Sequence, residues 1–86
     1  MSSSEEQIGI VRNFFSRISV AAIEITEGSL KIGDTVRLRG AGTDFIQKVE
    51  SMEVDRKPIQ KAEKGTAVGI KTAEKARPGD LVFKVT

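Results

Sequence analysis

The sequence predicts an all-β domain, either a sandwich or a small barrel. β-branched residues dominate from Ile8 onward, and turn-forming residues recur every eight to fifteen positions. Short strands separated at such intervals are typical of these two architectures. No stretch of the chain sustains the apolar period of about 3.6 residues that an amphipathic helix requires.

The first strand is predicted over residues 8–15 and the second over residues 19–25. In the second strand Ala21, Ile23 and Ile25 occupy alternate positions and therefore share one face. Gly9 interrupts the first strand, which indicates a bulge or the close approach of another backbone segment.

Two glycines are predicted to form tight turns that lead into strands. Gly33 and Gly79 each precede an aspartate at the start of an apolar segment. Both are expected to adopt backbone angles that other residues disfavour, because glycine reaches positive φ without a steric penalty. The connection before Gly33 is expected to lay Leu30 and Ile32 across one end of the fold.

The third strand, residues 35–39, alternates cleanly between apolar and charged positions. Residues 45–54 are expected to form one strand with a bulge near Glu50 or Ser51, because the apolar positions change phase there. Residues 59–64 are predicted to form a short helical turn, and further strands begin at residues 65 and 81. The predicted core contains Val36, Leu38, Val49, Val68, Ile70 and Leu81.

The composition indicates one globular domain. Residues 1–6 are polar and acidic and are predicted to form a disordered leader, so residues 7–86 form a single domain. The leader lacks the basic and apolar segments of a signal peptide, and no apolar run reaches membrane-spanning length. We therefore expect a cytoplasmic protein with no membrane partner.

The sequence contains no His and no Cys. This excludes disulfides, cysteine nucleophiles and His-based triads, and it argues against a zinc site. The phosphate loop Gly-x-x-x-x-Gly-Lys-Ser/Thr is also missing, so the chain alone is not a GTPase. We therefore predict a protein that is not an enzyme and that holds no metal or cofactor.

Basic residues form the candidate binding surface. Arg37 and Arg39 point outward from the third strand about 7 Å apart, close to the spacing of phosphates along one nucleic-acid strand. Arg12, Arg17 and Lys48 join them if the strands that carry them are neighbours. The alternative is an ordinary solvated face of a sheet.

Two adjacent aromatic residues, Phe14 and Phe15, lie at the end of the first strand. In a regular strand they face opposite ways, so one of them is expected to be exposed. An exposed ring is available to stack on a base, whereas a buried one fills the core or an interface.

Several segments resemble the second domain of translational GTPases such as elongation factor Tu and initiation factor two. The run LKIGDTVRLRG at residues 30–40 carries the resemblance, followed in order by VESM, AEKG, VGI and PGDLV. The segment GTDFIQKVESM at residues 42–52 is similar to stand-alone translation elongation factor-like proteins. It is also similar to the C-terminal domain of collagenase-like peptidases.

This resemblance implies a closed antiparallel barrel of about six strands. It also implies contact with RNA or the ribosome, because the second domain of those GTPases touches ribosomal RNA and some collagenase-like proteins hydroxylate RNA. The first hypothesis is therefore a translation-factor-like module that binds RNA or the ribosome.

The alternative is a protein-interaction module. Such a module docks on a separately encoded GTPase or on a peptidase-like or RNA-modifying enzyme. Salt dependence separates the two hypotheses, since affinity based on phosphate contacts falls steeply with salt and a mostly apolar interface does not.

Overall fold

The structure is a computed structural model that describes residues 4–86. These residues form ten strands: β1 (Glu5–Phe15), β2 (Val20–Ile25), β3 (Ser29–Lys31), β4 (Thr35–Gly40), β5 (Thr43–Lys48), β6 (Met52–Val54), β7 (Lys57–Pro58), β8 (Lys61–Glu63), β9 (Ala67–Lys71) and β10 (Leu81–Val85).

Eight strands form one antiparallel sheet in the order β5-β4-β10-β1-β2-β9-β6-β7, and β3 pairs with β8 in a second, two-stranded sheet. The all-β antiparallel fold predicted from the sequence is confirmed. The closed barrel is not confirmed, because no ladder within residues 4–86 joins β5 to the strands at the opposite edge. The chain leaves β5 at Lys48 and passes through residues 49–51 without a ladder before β6 begins.

Two predicted elements are wrong. Residues 45–54 form two strands instead of one bulged strand, because Val49 is hydrogen-bonded to the turn before β4: its N–H donates to the Asp34 carbonyl at 2.8 Å. Residues 59–64 contain β8 instead of a helical turn, because Ala62 pairs with Leu30 and buries its side chain beside it. Among the described residues no helix is both long and apolar enough to cross a membrane. The cytoplasmic location stays a prediction.

The hydrophobic side chains that point inward from the strands form one buried core. Five of the six predicted core residues are buried: Val36, Leu38, Val49, Val68 and Ile70. The prediction for Leu81 is wrong. β10 pairs with β4 so that Val82 lies opposite Leu38, which places Val82 in the core and Leu81 opposite Arg39 on the outer face.

Three turns share one geometry. Gly33, Gly65 and Gly79 have φ of 99°, 93° and 95°, which confirms the prediction for Gly33 and Gly79. In each turn the N–H of the residue after glycine donates to the carbonyl three residues earlier, at 3.0–3.1 Å. A positive φ at the third position with this hydrogen bond is the pattern of a type II turn. Each of the three turns therefore leads into the next strand with the same backbone conformation and the same hydrogen bond.

β1 begins before the predicted boundary of the domain. Glu5 and Glu6, assigned to the leader by the sequence, pair with Val85 and Lys84 of β10. Ser4, also part of the predicted leader, exchanges two backbone hydrogen bonds with Thr86, and residues 1–3 lie outside the described residues. Gly9 marks both a register shift and a close approach, since a Cβ atom there would lie 2.5 Å from the carbonyl oxygen of Glu24.

Candidate docking surface

The structure places three of the five predicted basic residues on one face. Arg37 and Arg39 point outward from β4, as predicted, and Lys48 lies on the same face of β5. Arg37, however, is already engaged with protein carboxylates. Its Nε and one terminal nitrogen donate to the two carboxylate oxygens of Asp44 at 2.8 Å each, and its other terminal nitrogen donates to Glu5 at 2.9 Å.

These hydrogen bonds hold both partners in their charged forms. Hydrogen bonding from Arg37 holds the pKa of the Asp44 carboxyl below its usual range. Hydrogen bonds to Asp44 first, and then to Glu5, raise the pKa of Arg37 above its usual value. Both carboxylate oxygens of Asp44 fill the guanidinium fork that would otherwise bind a phosphate bidentately.

The other two predicted residues lie elsewhere. Arg12, on β1, donates from Nε to Glu24 of β2 at 2.8 Å, so its charge is also balanced. Arg17 lies in the turn between β1 and β2 and not on the β4–β5 face. Arg17, Arg39 and Lys48 form no ion pair with any residue in 4–86. The five residues therefore do not form one continuous basic surface.

Exposed apolar side chains mark a different surface. Phe15 is 47% exposed and Ile18, three residues later in the β1–β2 turn, is 57% exposed. Phe14 packs against the core, so the prediction that one of the two adjacent rings is exposed is confirmed. Ile46 on β5 has the same exposure as Ile18 but lies opposite Arg37, on the charged face.

A cleft of about 340 Å³ lies beside Phe15. Small side chains from the outer faces of β2 and β9 line it: Val20, Ala22, Ala67 and Gly69. Its remaining lining includes the turn between β6 and β7, where Asp55 and Arg56 have φ of 52° and 64°. Phe15, Ile18 and this cleft are together called the Phe15 surface below.

The turn that carries this surface is held in place. Ser19 has a φ of 56°, and its hydroxyl donates to the carbonyl of Thr72 at 2.8 Å. The N–H of Thr72 donates back to the carbonyl of Ser19 at 2.9 Å. These two hydrogen bonds attach the β1–β2 turn to the segment after β9. The backbone next to Phe15 and Ile18 is therefore held in place.

A second cleft of about 290 Å³, lined mostly by polar and charged residues, lies between the end of β5 and the segment that follows β9. The side chain of Gln47 spans this gap. Its amide nitrogen donates to the carbonyl of Lys71 at 2.9 Å, and its amide oxygen accepts from the N–H of Ala73 at 2.7 Å. One side chain therefore supplies the donor and acceptor that a neighbouring strand would otherwise provide. No pattern in the sequence predicts this role for Gln47.

The chain is similar in sequence to part of two longer proteins, one named as a protease and one as a collagenase. No family model matches the chain. It is 41% identical over 78 residues, 90% of the chain, to a Methanocaldococcus jannaschii protein named as an uncharacterised protease, and it covers 19% of that protein. It is 40% identical over 72 residues to a collagenase of Porphyromonas gingivalis, which corresponds to 83% of this chain and 20% of the collagenase. The chain thus spans about a fifth of the length of these curated relatives.

Solved structures show the same fold. Two crystal structures of the C-terminal domain of a Geobacillus thermoleovorans protein assigned to the U32 peptidases superpose with TM-scores of 0.84 and 0.85. They cover 90% and 92% of this chain, and the chain covers 96% and 91% of theirs, at 20% sequence identity. The fold is therefore that of a domain found at the end of a longer peptidase-like protein.

These comparisons correct the main functional hypothesis. The curated relatives are a protease and collagenases, so the interpretation as a translation-factor-like module that binds RNA or the ribosome is wrong. The resemblance to translation factors is not shown, whereas the resemblance to the C-terminal domain of collagenase-like peptidases is confirmed. The alternative, a module that docks on another protein, agrees better with these relatives.

Proposed function

We propose that this chain is a non-catalytic accessory domain that docks on a peptidase-type catalytic chain. The observation that carries the proposal is 40–41% identity over most of this chain to proteins named as a protease and a collagenase, of which it spans only about a fifth. In those relatives about four fifths of the polypeptide lies outside the homologous segment. Domains of one protein commonly contact each other through interfaces of moderate size.

The chemistry of the side chains supports a docking role. The sequence has neither His nor Cys, and the described residues contain no cluster of acidic side chains suited to holding a metal ion. The catalytic groups then belong to the partner. Whether that partner is encoded separately or in the same polypeptide, it must recognise the surface of this domain.

A chimera of the Porphyromonas gingivalis collagenase tests the proposal. In it this chain replaces the 72-residue homologous segment. We expect the chain to unfold at a higher temperature in the chimera than alone, because an interface adds stability that the isolated domain lacks. Differential scanning calorimetry measures both midpoints.

Two controls define the result. A collagenase with the segment deleted should lose stability or peptide hydrolysis, and the chimera should recover part of what is lost. A second chimera that carries an unrelated β domain of similar size should recover neither. A chimera in which this chain unfolds at its isolated temperature, with no recovery, would contradict docking.

A further inference from the structure

We propose that the Phe15 surface is the part of this domain that contacts the catalytic chain, and that the cleft beside Phe15 receives an apolar side chain of that partner. The inference rests on the proposed function, since it names the surface through which docking occurs.

Exposed apolar side chains are concentrated at one place on the surface. Three large hydrophobic side chains are exposed in residues 4–86. Phe15, at the end of β1, lines the cleft, and Ile18 lies three residues later in the adjoining turn. The third, Ile46, lies alone among charged neighbours on the β4–β5 face. Clustered apolar residues next to a concavity mark interaction sites, whereas isolated ones are normal on protein surfaces.

The cleft beside Phe15 has a shape that can receive a side chain. Its lining contains small side chains where a solvated sheet face would carry longer ones, and Gly69 has none at all. A Cβ atom at Gly69 would lie 3.2 Å from Cγ1 of Val20, a tight contact. The small lining beside the ring of Phe15 leaves room for an inserted side chain.

Backbone and side-chain hydrogen bonds hold the Phe15 surface rigid. The hydrogen bonds between Ser19 and Thr72 fix the turn, and the N–H of Ile18 donates to the carbonyl of Phe15 at 3.2 Å within it. The two-residue turn of Asp55 and Arg56, both at positive φ, forms a compact hairpin at the cleft. A surface already held in its bound geometry loses less conformational entropy on binding.

Charge around the cleft selects the kind of partner. Arg56 lies in its lining with two carboxylates, Glu53 and Asp55, so the surface is not dominated by one sign of charge. A strongly anionic partner would meet these carboxylates. An apolar patch fits this lining of mixed charge better. The catalytic chain that would carry the patch corresponds to the additional polypeptide of the relatives.

The test compares variants in the chimera and in the isolated chain. The double variant Phe15→Ser/Ile18→Ser removes the apolar side chains, and Ala67→Trp fills the cleft while leaving them in place. Ile46→Ser is the matched control, because Ile46 is as exposed as Ile18. Calorimetry of each isolated chain records any effect on the fold itself.

We expect the double variant and Ala67→Trp to abolish the rise in melting midpoint that the chimera gives relative to the isolated chain. Ile46→Ser should retain the full rise. If Ile46→Ser alone removes it, or if both Phe15-surface variants retain it, this inference is overturned while docking stands.

If the wild-type chimera shows no rise, the proposed function fails together with the inference. A lipid membrane is the other partner to test for this surface. Sedimentation of the isolated chain with phosphatidylglycerol vesicles measures membrane binding. Binding to vesicles that depends on Phe15 and Ile18, without a rise in the chimera, would assign the surface to a membrane and overturn the inference.

Discussion

Gly79 adopts a φ of 95°, a conformation that costs an L residue about 1–2 kcal/mol. A Cβ atom at this position would meet nothing within 4 Å, so steric contact adds no penalty. Gly79→Ala is therefore expected to lower the free energy of unfolding by about 1–2 kcal/mol through the backbone alone. Gly79→Asn should cost less, because asparagine tolerates this region better. Urea unfolding of both variants measures the difference, and equal losses would refute the backbone explanation.

Gly40 illustrates a different requirement for glycine. Its φ is not positive, but a Cβ atom there would overlap the carboxylate of Asp80, which is buried and accepts from the N–H of Arg77 at 2.8 Å. The type II turn ending at Asp80 therefore packs directly on the end of β4, and Gly40 makes this close approach possible.

The ion pair of Arg37 and Asp44 predicts a pH dependence. The pKa of Asp44 is lower in the folded state than its ordinary value of 3.8. The pair therefore contributes stability above that value, and the contribution is lost as pH falls through the folded pKa. Arg37→Met should reduce the loss of stability between about pH 6 and about pH 2, measured by urea unfolding. An unchanged pH dependence would show that Arg37 does not lower the pKa of Asp44.

At the level of the strands, Gln47 links β5 to the end of β9, because these two strands are not paired with each other. Two hydrogen bonds connect its amide to Lys71 and Ala73. Gln47→Ala removes both and is expected to destabilise the fold by about 1–2 kcal/mol, since a hydrogen bond contributes roughly 1 kcal/mol net. Hydrogen exchange at the Ala73 amide should become faster, whereas exchange at Val82 in the core should follow global stability alone.

A conservative variant separates the two hydrogen bonds. Gln47→Glu keeps an acceptor for the N–H of Ala73 but loses the donor to the carbonyl of Lys71. We expect protection at Ala73 to be largely retained in this variant. Equal exchange at Ala73 in Gln47→Ala and in the wild type would show that the side chain does not hold this segment.

The strands show what the sequence could and could not predict. Val36 and Leu38 alternate with charged residues, so their burial follows from the pattern. Leu81 and Val82 are both apolar, and only the pairing of Val82 with Leu38 determines which one is buried. Residues 59–64 are rich in helix-forming residues, yet pairing with β3 overrides that local preference.

The same limit applies to the candidate site. That one ring of Phe14 and Phe15 is exposed follows from their adjacency. That Phe15 lies beside a cleft shared with Arg56 does not, because these residues are far apart in the chain and meet only through the order β1-β2-β9-β6. Likewise the outward direction of Arg37 was predictable, but its contact with Glu5, 32 positions away, depends on the folded sheet.

For the molecule as a whole, docking predicts a weak response to salt. The Phe15 surface is apolar with charges of both signs nearby, and Arg12 and Arg37 are each paired with carboxylates. The rise in melting midpoint in the chimera should therefore change little when salt is raised about tenfold from low ionic strength, because screening acts on unbalanced charge. A steep loss of the rise would instead indicate an interface dominated by unpaired cations such as Arg17, Arg39 and Lys48.

The isolated chain is also expected to have no peptidase activity. Peptide hydrolysis requires an activated nucleophile, and the common ways to generate one use a His-based triad, a cysteine thiolate, a metal-bound water or a pair of carboxylates sharing a proton. Without His and Cys the first two are excluded by the sequence. The carboxylate with a shifted pKa, Asp44, is held ionised by Arg37 and is not raised as an acid catalyst would be. Hydrolysis of a fluorogenic gelatin by the purified chain should match the buffer, and turnover that follows the protein through successive columns would contradict an accessory role.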